Sequence, residues 1–232
     1  MTEPPGSWPE VRAPIVRTAV SVGVASGAYG VSVGALGVAA GLSVTQTCAL
    51  SVLMFTGGSQ FALVGALGGG GSQLSGALSA VLLGARNGVY GVRLAPLLQV
   101  RGAQRFLAAH LVIDESTAVA LGGEVHGVRA GRLGFWATGL AVFACWNTGT
   151  AIGALGASVL ADPRSLGLDA AAPAAFLALV APRLRHRETA VVAAIAVLAA
   201  VASTPFVAAG IPVLLAALVA VAAGLRPRTG DG

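Results

Sequence analysis

Apolar residues run through this chain in long blocks, separated by short polar or glycine-rich breaks. A helix that crosses a bilayer needs about 20 mainly apolar residues, and eight blocks approach that length. They cover residues 18–40, 44–67, 74–98, 106–123, 133–160, 167–182, 189–203 and 206–225. The pattern therefore predicts an all-α, polytopic membrane helix bundle of about eight transmembrane segments. The sixth and seventh are short for a full crossing, so tilted, broken or re-entrant helices are expected there.

The composition excludes a soluble globular domain. Of the 232 residues, 56% are hydrophobic and only 10% are charged, whereas an average soluble domain has about 25% charged residues. The 33 glycines agree with this conclusion, because small residues let helix backbones approach closely in lipid. Cys48 and Cys145 lie in apolar segments without the spacing of a metal site, so we expect them to be small buried side chains.

The basic residues are all arginines, and most lie between the apolar blocks. They form no basic stripe for nucleic acid, and the positive-inside rule explains them better. With the N-terminus inside, nine arginines are cytoplasmic and three are external. The nine are Arg12, Arg17, Arg129, Arg132, Arg183, Arg185, Arg187, Arg226 and Arg228, and the three are Arg101, Arg105 and Arg164. Both termini are therefore predicted to be cytoplasmic, although Arg101 and Arg105 fit this topology poorly.

These boundaries predict one membrane domain with two short tails. Residues 1–17 are predicted to form a polar cytoplasmic tail, residues 18–225 the transmembrane domain, and residues 226–232 a cytoplasmic C-terminal tail. The sequence Gly-Ala-Leu-Gly occurs at residues 34–37 and again at 153–156. Internal repeats are common in transporters, but a chain rich in these residues also gives such matches by chance.

The centre of the fourth segment contains two carboxylates. Ionisable residues inside apolar spans cost about 2.5–3.5 kcal/mol each on insertion scales and usually mark function. Asp114 and Glu115 are adjacent, and His110 precedes Asp114 by four positions, which places these two on one face of an unbroken helix. We interpret the three as a proton-titrating cluster that faces a polar cavity. A structural ion pair, or a segment at the membrane interface, is the alternative.

The third segment has Arg86 and Asn87 near its middle. Arg86 is too deep for its side chain to reach the membrane surface, so it needs a buried acidic partner, and Asp114 or Glu115 is predicted. One arginine against two acids leaves one negative charge, which can hold a proton or a substrate ammonium group. The alternative is a purely structural salt bridge.

The second segment is interrupted by Gly57, Gly58, Ser59 and Gln60. Each glycine weakens a helix by about 1 kcal/mol relative to alanine, so we expect a break into two half-helices. The N–H groups of a half-helix N-terminus, with Ser59 and Gln60, can bind a substrate carboxylate. Close helix packing at the glycines is the alternative. Asn147, in the fifth segment, is either a further substrate contact or an interhelical hydrogen-bonding group.

Three groups of residues resemble the AzlC family, the large subunit of bacterial branched-chain amino acid exporters. They are Phe55-Thr56-Gly57-Gly58-Ser59-Gln60-Phe61, similar to the family's Phe-x-Gly-Ala-Ser-Gln-Phe; Ala85-Arg86-Asn87-Gly88-Val89-Tyr90-Gly91 with Leu94-Ala95-Pro96; and Asp114-Glu115-Ser116 after His110. The region of Trp146, and residues 166–169 before Pro173 and Phe176, also fit. The family usually reads Asn-x-Arg-His in the third segment, where this chain has Gly84 and Asn87, so its coupling chemistry can differ.

The resemblance implies a proton-coupled export permease of the bacterial cytoplasmic membrane, with no cofactor, no metal and no enzymatic activity. Its expected substrates are Leu, Ile and Val, with Met as a fourth candidate, and its expected partner is a small AzlD-type membrane subunit. An uncoupled channel or facilitator for another small solute is the main alternative, and the acidic pair favours coupling. A structural subunit and an intramembrane hydrolase using Ser59 are further alternatives. Of the three histidines only His110 lies deep enough to serve such a hydrolase as base.

Overall fold

The computed structural model describes residues 7–159, 177, 181, 183–207 and 211–225. Within these ranges the regular structure is helical and contains no strand, as the hydrophobic pattern predicts. The helices are α1 (Trp8–Ala39), α2 (Val44–Leu53), α3 (Gly57–Gly68), α4 (Gln73–Leu98), α5 (Gln104–His110), α6 (Asp114–Glu124), α7 (Val128–Ser158), α8 (Arg187–Ser203) and α9 (Ile211–Gly224), with a 3₁₀ turn at Arg183–Arg185. The sixth predicted segment, 167–182, lies outside the described residues apart from two single positions.

Helix α1 begins ten residues earlier than the first predicted span. The backbone N–H of Ser7 donates to the Glu10 carboxylate at 2.9 Å, so the Glu10 side chain caps the start of the helix. Pro9 lies in the first turn, where its missing N–H costs no helical hydrogen bond. Local capping therefore starts the helix in a polar stretch that hydropathy alone predicts to be a tail.

The centre of the bundle is a parallel pair of helices, α1 and α7. These two are the described helices that are long and apolar enough, taken singly, to cross a membrane. Gly23 of α1 lies against Ala141 of α7, and Gly34 lies against Thr150. The contacts advance in the same direction along both helices. A Cβ at either glycine would collide with the α7 backbone, so the missing side chains allow the close approach.

The repeated Gly-Ala-Leu-Gly sequence lies in this contact. Gly34, its first residue in α1, packs against Thr150 and Ala154 of α7, while Gly153, its first residue in α7, packs against Val31 of α1. The repetition thus has a packing explanation, because both helices present the same small residue at one crossing.

The second predicted segment does not cross the bundle. It is broken at residues 54–56, next to the predicted glycines. Thr47 of α2 lies against Gly37, near the end of α1, and Gly68 at the end of α3 lies against Ala40. The start of α2 and the end of α3 are therefore at the same end of the bundle. The predicted span is instead a re-entrant hairpin, since the chain turns back at residues 54–56, and Gly57 and Gly58 open the second half-helix.

The fourth predicted segment is also broken, and α5 and α6 meet at 108°. Gly123 near the end of α6 lies against Ala130 in the first turn of α7. The start of α5 is at this same end, since Gln99, five residues before it, accepts a hydrogen bond from Arg132 of α7 at 2.9 Å. This pair is a second re-entrant hairpin, and it enters from the end opposite to the first.

The prediction that His110 and Asp114 share one helical face is therefore wrong. His110 ends α5, and Asp114 begins α6 after a break at residues 111–113. Acidic residues and serine are favoured in the first turn of a helix, and the sequence Asp114-Glu115-Ser116 starts α6 at this position. The carboxylates lie at the N-terminus of a half-helix instead of the centre of a span.

Helix α4 runs antiparallel to α1 and α7 and joins the two hairpins. Its beginning packs on the end of α3, with Gly76 against Leu63, and its end packs on the start of α7, with Leu97 against Gly131. Its 26 residues give a length of about 39 Å. Up to Ser158 the structure thus has three helices that run the length of the bundle and two hairpins. The eight predicted spans are not confirmed.

The last two predicted segments correspond to α8 and α9. Helix α8 begins two residues before the predicted start at 189, and α9 begins five residues after the predicted start at 206. Helix α9 packs on α8 and also contacts α4.

Candidate functional site

The two hairpin breaks meet in the middle of the bundle. The ring centroid of Phe55, at the first break, is 5.8 Å from that of His110 at the second. Phe143 of α7 packs on both rings, at 5.0 Å from Phe55 and 5.8 Å from His110. The half-helices α3 and α6 therefore begin from one central region beside α7.

An ion pair lies in this region. Arg86 Nη2, near the midpoint of α4, is 2.6 Å from Asp114 Oδ2, which confirms the prediction that an acid of the fourth segment pairs with Arg86. The two side chains are 41% and 43% exposed, so the described residues do not enclose them. A charged pair at mid-membrane needs a polar or water-filled space beside it.

The same guanidinium lies at the N-terminus of α3. A Cβ built on Gly58 would be 3.2 Å from Arg86 Nη2. The residue before the helix, Thr56, makes no side-chain capping hydrogen bond. The first N–H groups of a helix have no partner inside it, and this end of the helix favours anions. Arg86 thus lies between the N-termini of α3 and α6.

The two N-termini differ in charge. The first turn of α6 contains Asp114 and Glu115, whereas the first turn of α3 contains no acid. Glu115 is half-buried, and no basic group of the described residues forms an ion pair with it. Arg86 and the two acids together carry one negative charge. In the same part of the chain, no cluster of His, Cys, Asp and Glu is arranged to hold a metal ion.

Gln60 is fully buried and connects the first break to α7. Its Nε2 donates to the carbonyls of Met54 at 2.6 Å and Ser51 at 3.4 Å, and its Oε1 accepts from Trp146 Nε1 at 3.0 Å. The indole of Trp146 also lies against Gly57. The amide that the sequence analysis assigned to substrate binding is thus engaged by the protein itself.

Two serines have similar local roles. Ser59 Oγ donates to the Ala80 carbonyl at 2.7 Å and thereby links α3 to α4. Ser116, which the sequence analysis did not assign, donates through Oγ to the Leu111 carbonyl at 2.6 Å and accepts from the Ile113 N–H at 3.1 Å. In the sequence, Ser116 directly follows two acidic residues, a pattern that is typical of the start of a helix and could have indicated its capping role.

The two asparagines keep free acceptor atoms. Asn147 Nδ2 donates to the Phe143 carbonyl at 2.8 Å, but its Oδ1 is buried without a hydrogen-bond partner, and so is Oδ1 of Asn87. Buried polar atoms are normally paired with protein or water. Asn87 follows Arg86 and Asn147 follows Trp146, so both belong to the helices that flank the breaks. They can accept hydrogen bonds from a bound ligand or water.

Comparison with known proteins identifies the family. Neither the curated proteins nor the solved structures gave a significant match. A family model described as AzlC protein matches residues 21–160, which is more than half of the chain and includes both hairpins and each candidate residue. The chain therefore belongs to the AzlC family, a transport family associated with branched-chain amino acids, and is a membrane protein.

Proposed function

We propose that the chain exports branched-chain amino acids, namely Leu, Ile, Val and also Met, across the bacterial cytoplasmic membrane in exchange for protons. The position of Arg86 carries this proposal. Its guanidinium pairs with Asp114 at the start of α6 and also lies on Gly58 at the start of α3. One of these N-termini has its own carboxylates, and the other has none.

An amino acid zwitterion complements these groups. Its carboxylate would bind at the N-terminus of α3, where the N–H groups of the first turn and Arg86 both favour an anion. Its ammonium group would bind Glu115, and the buried, unpaired Oδ1 atoms of Asn87 and Asn147 are the candidate hydrogen-bond acceptors on the neighbouring helices. Each charge of the substrate thus has a partner of opposite charge or a hydrogen-bond acceptor.

The substrate side chain would lie near the aromatic rings at the breaks. Phe55 and Phe143 are apolar and pack at the crossing of the hairpins. An apolar pocket discriminates by about 1–3 kcal/mol per methylene. This range favours a set of related aliphatic amino acids over one exclusive substrate.

Asp114 and Glu115 are the proposed proton carriers, with His110 beside the second break. The net negative charge of the two acids and Arg86 holds either a proton or the substrate ammonium group. Because proton and substrate compete for these carboxylates, each displaces the other, as exchange across the membrane requires. Asn87, at the position where relatives usually have histidine, cannot itself carry a proton, which leaves this task to the carboxylates.

The arrangement of the arginines supports a cytoplasmic N-terminus. Trp8 of α1 stacks under Arg129 of α7, and the hairpin α5–α6 enters from this same end. Arg101 and Arg105 therefore join Arg12, Arg17, Arg129 and Arg132 at one end, while residues 40–43 and 69–72, at the other end, contain no arginine. If the last three predicted segments each cross the membrane, the C-terminus is cytoplasmic as well. Eleven arginines then lie inside and Arg164 lies outside, as the positive-inside rule favours.

A small AzlD-type membrane subunit is the proposed partner. The test is export of labelled leucine from cells that carry this gene with and without the neighbouring partner gene. Leucine efflux that needs both genes and stops when a protonophore removes the proton gradient supports the proposal. Efflux that continues without a gradient favours the uncoupled facilitator, and no efflux of any branched-chain amino acid refutes the proposed substrate class.

A further inference from the structure

We infer that Gln60 and Ser116 are matching positioning residues, one at each hairpin break, which hold the N-termini of α3 and α6 in register around Arg86. The inference rests on the proposed function for its transport readouts, and a structural readout tests it independently.

The two residues share one geometry. Gln60 and Ser116 are both 0% exposed. Each lies at the start of the second half-helix and reaches back across the break to a carbonyl at the end of the first, Met54 for Gln60 and Leu111 for Ser116. The last carbonyls of a helix have no partner inside it, so both side chains satisfy groups that the break exposes.

Their remaining contacts differ. Oε1 of Gln60 accepts from Trp146 Nε1, so Gln60 fixes the start of α3 relative to α7. Ser116 accepts from the Ile113 N–H and lies two residues after Asp114, so it fixes the orientation of the first turn of α6. Among the described residues, Arg86 of α4 is the charged group that faces the two acids of that turn. His110 is the last residue of α5, on the other side of the break.

Loss of the two side chains should therefore change different properties of transport. Weakening the Gln60 contact displaces the end of α3 where the substrate carboxylate binds. We expect KM for leucine to rise about five- to tenfold, which is the effect of about one lost hydrogen bond, with a smaller change in Vmax. Removing the Ser116 hydroxyl displaces the acids of α6, so the pH dependence of transport should shift while KM changes less. A merely structural role would lower Vmax alone, through loss of folded protein.

Matched variants separate these outcomes. Trp146→Phe keeps an aromatic side chain but removes the Nε1–H donor to Gln60 together with part of the indole, and its control is Trp136→Phe, which removes the same atoms elsewhere on the same helix. Ser116→Ala removes the hydroxyl at the second break, and its control is Ser79→Ala, a buried serine that donates to the Ser75 carbonyl within α4. The controls should keep the wild-type KM and pH profile.

Hydrogen exchange of the purified protein in nanodiscs gives the readout that does not depend on transport. Trp146→Phe and Gln60→Leu should speed exchange of the amides at residues 54–59 and leave residues 111–116 unchanged, and Ser116→Ala should do the reverse. Unchanged exchange at both breaks, or equal acceleration throughout the chain, would overturn the inference even if wild-type leucine export is normal. Absence of wild-type export with selective exchange would refute only the proposed function.

Discussion

Arg86 is the residue on which the proposed site depends, because it contacts both half-helix N-termini. We expect Arg86→Ala to abolish coupled leucine export while the protein still reaches the membrane. The variant leaves Asp114 without its cation, and Arg86→Ala/Asp114→Asn should therefore recover stability without recovering transport. Double-mutant cycles on the purified protein should give a coupling energy of about 0.5–3 kcal/mol for residues in contact.

The pair of Arg93 and Glu124 provides the control for this cycle. Its atoms are 2.8 Å apart, its side chains are 55% and 33% exposed, and it joins the same two helices nearer their ends. Exposed pairs contribute about 0–1 kcal/mol, so Arg93→Ala should leave export near the wild-type rate. Additive losses for Arg86 with Asp114, or a larger coupling with Glu115, would contradict the proposed pairing.

The two acids should differ when each is changed alone. Asp114→Asn removes the partner of Arg86, so both stability and transport should fall. Glu115→Gln breaks no ion pair among the described residues, so the protein should stay stable while its leucine export loses dependence on the proton gradient. Transport assays in proteoliposomes with and without a pH gradient measure this. Wild-type rates and pH dependence in both variants would remove the carboxylates from the coupling mechanism.

At the scale of the helices, glycines determine how closely α1 and α7 approach. A Cβ at Gly34 would collide with the Thr150 carbonyl, whereas a Cβ at Gly156 would meet no atom within 4 Å. Gly34→Ala should therefore lower the melting temperature in detergent, with a loss of about 1–3 kcal/mol for overpacking. Gly156→Ala should be neutral or stabilise by up to about 1 kcal/mol. Equal melting temperatures for the two variants would show that α1 and α7 can move apart without loss of stability.

Sequence reasoning identified most helices and predicted a break in the second segment, which the structure places at residues 54–56, just before Gly57, but it could not distinguish a hairpin from a span. Two half-helices with a short break have the same hydropathy whether the chain continues or turns back. The distinction came from contacts such as Gly68 with Ala40 and Gln99 with Arg132, which depend on tertiary packing. The partner of Arg86 was predictable because a deep charge requires a counter-charge. The engagement of Gln60 by Trp146 was not, since it joins residues 86 positions apart.

At the scale of the whole molecule, the hairpins place Arg101, in the loop before α5, and Arg105, in the first turn of α5, at the end that contains Arg12. In a variant without Cys48 and Cys145, a cysteine in place of Arg101 should react with a membrane-impermeant reagent only from the cytoplasmic side. Gly69→Cys, in the exposed turn after α3, should react only from outside. Labelling of both positions from one side would contradict the topology, and external labelling at 101 would restore the full crossings first predicted.

The two opposed hairpins also bear on how the protein is made. Helices of 10, 12, 7 and 11 residues are too short to cross a bilayer as single spans, so the membrane alone cannot hold them at mid-depth. Some of the contacts of the first hairpin come from α1 and α4, but its hydrogen bonds with Trp146 and Thr150 of α7 involve residues made about 90 positions later in synthesis. The full set of contacts of the first hairpin therefore forms only after α7 has entered the membrane. Biogenesis is expected to proceed by insertion of the long helices first and folding of the hairpins between them afterwards.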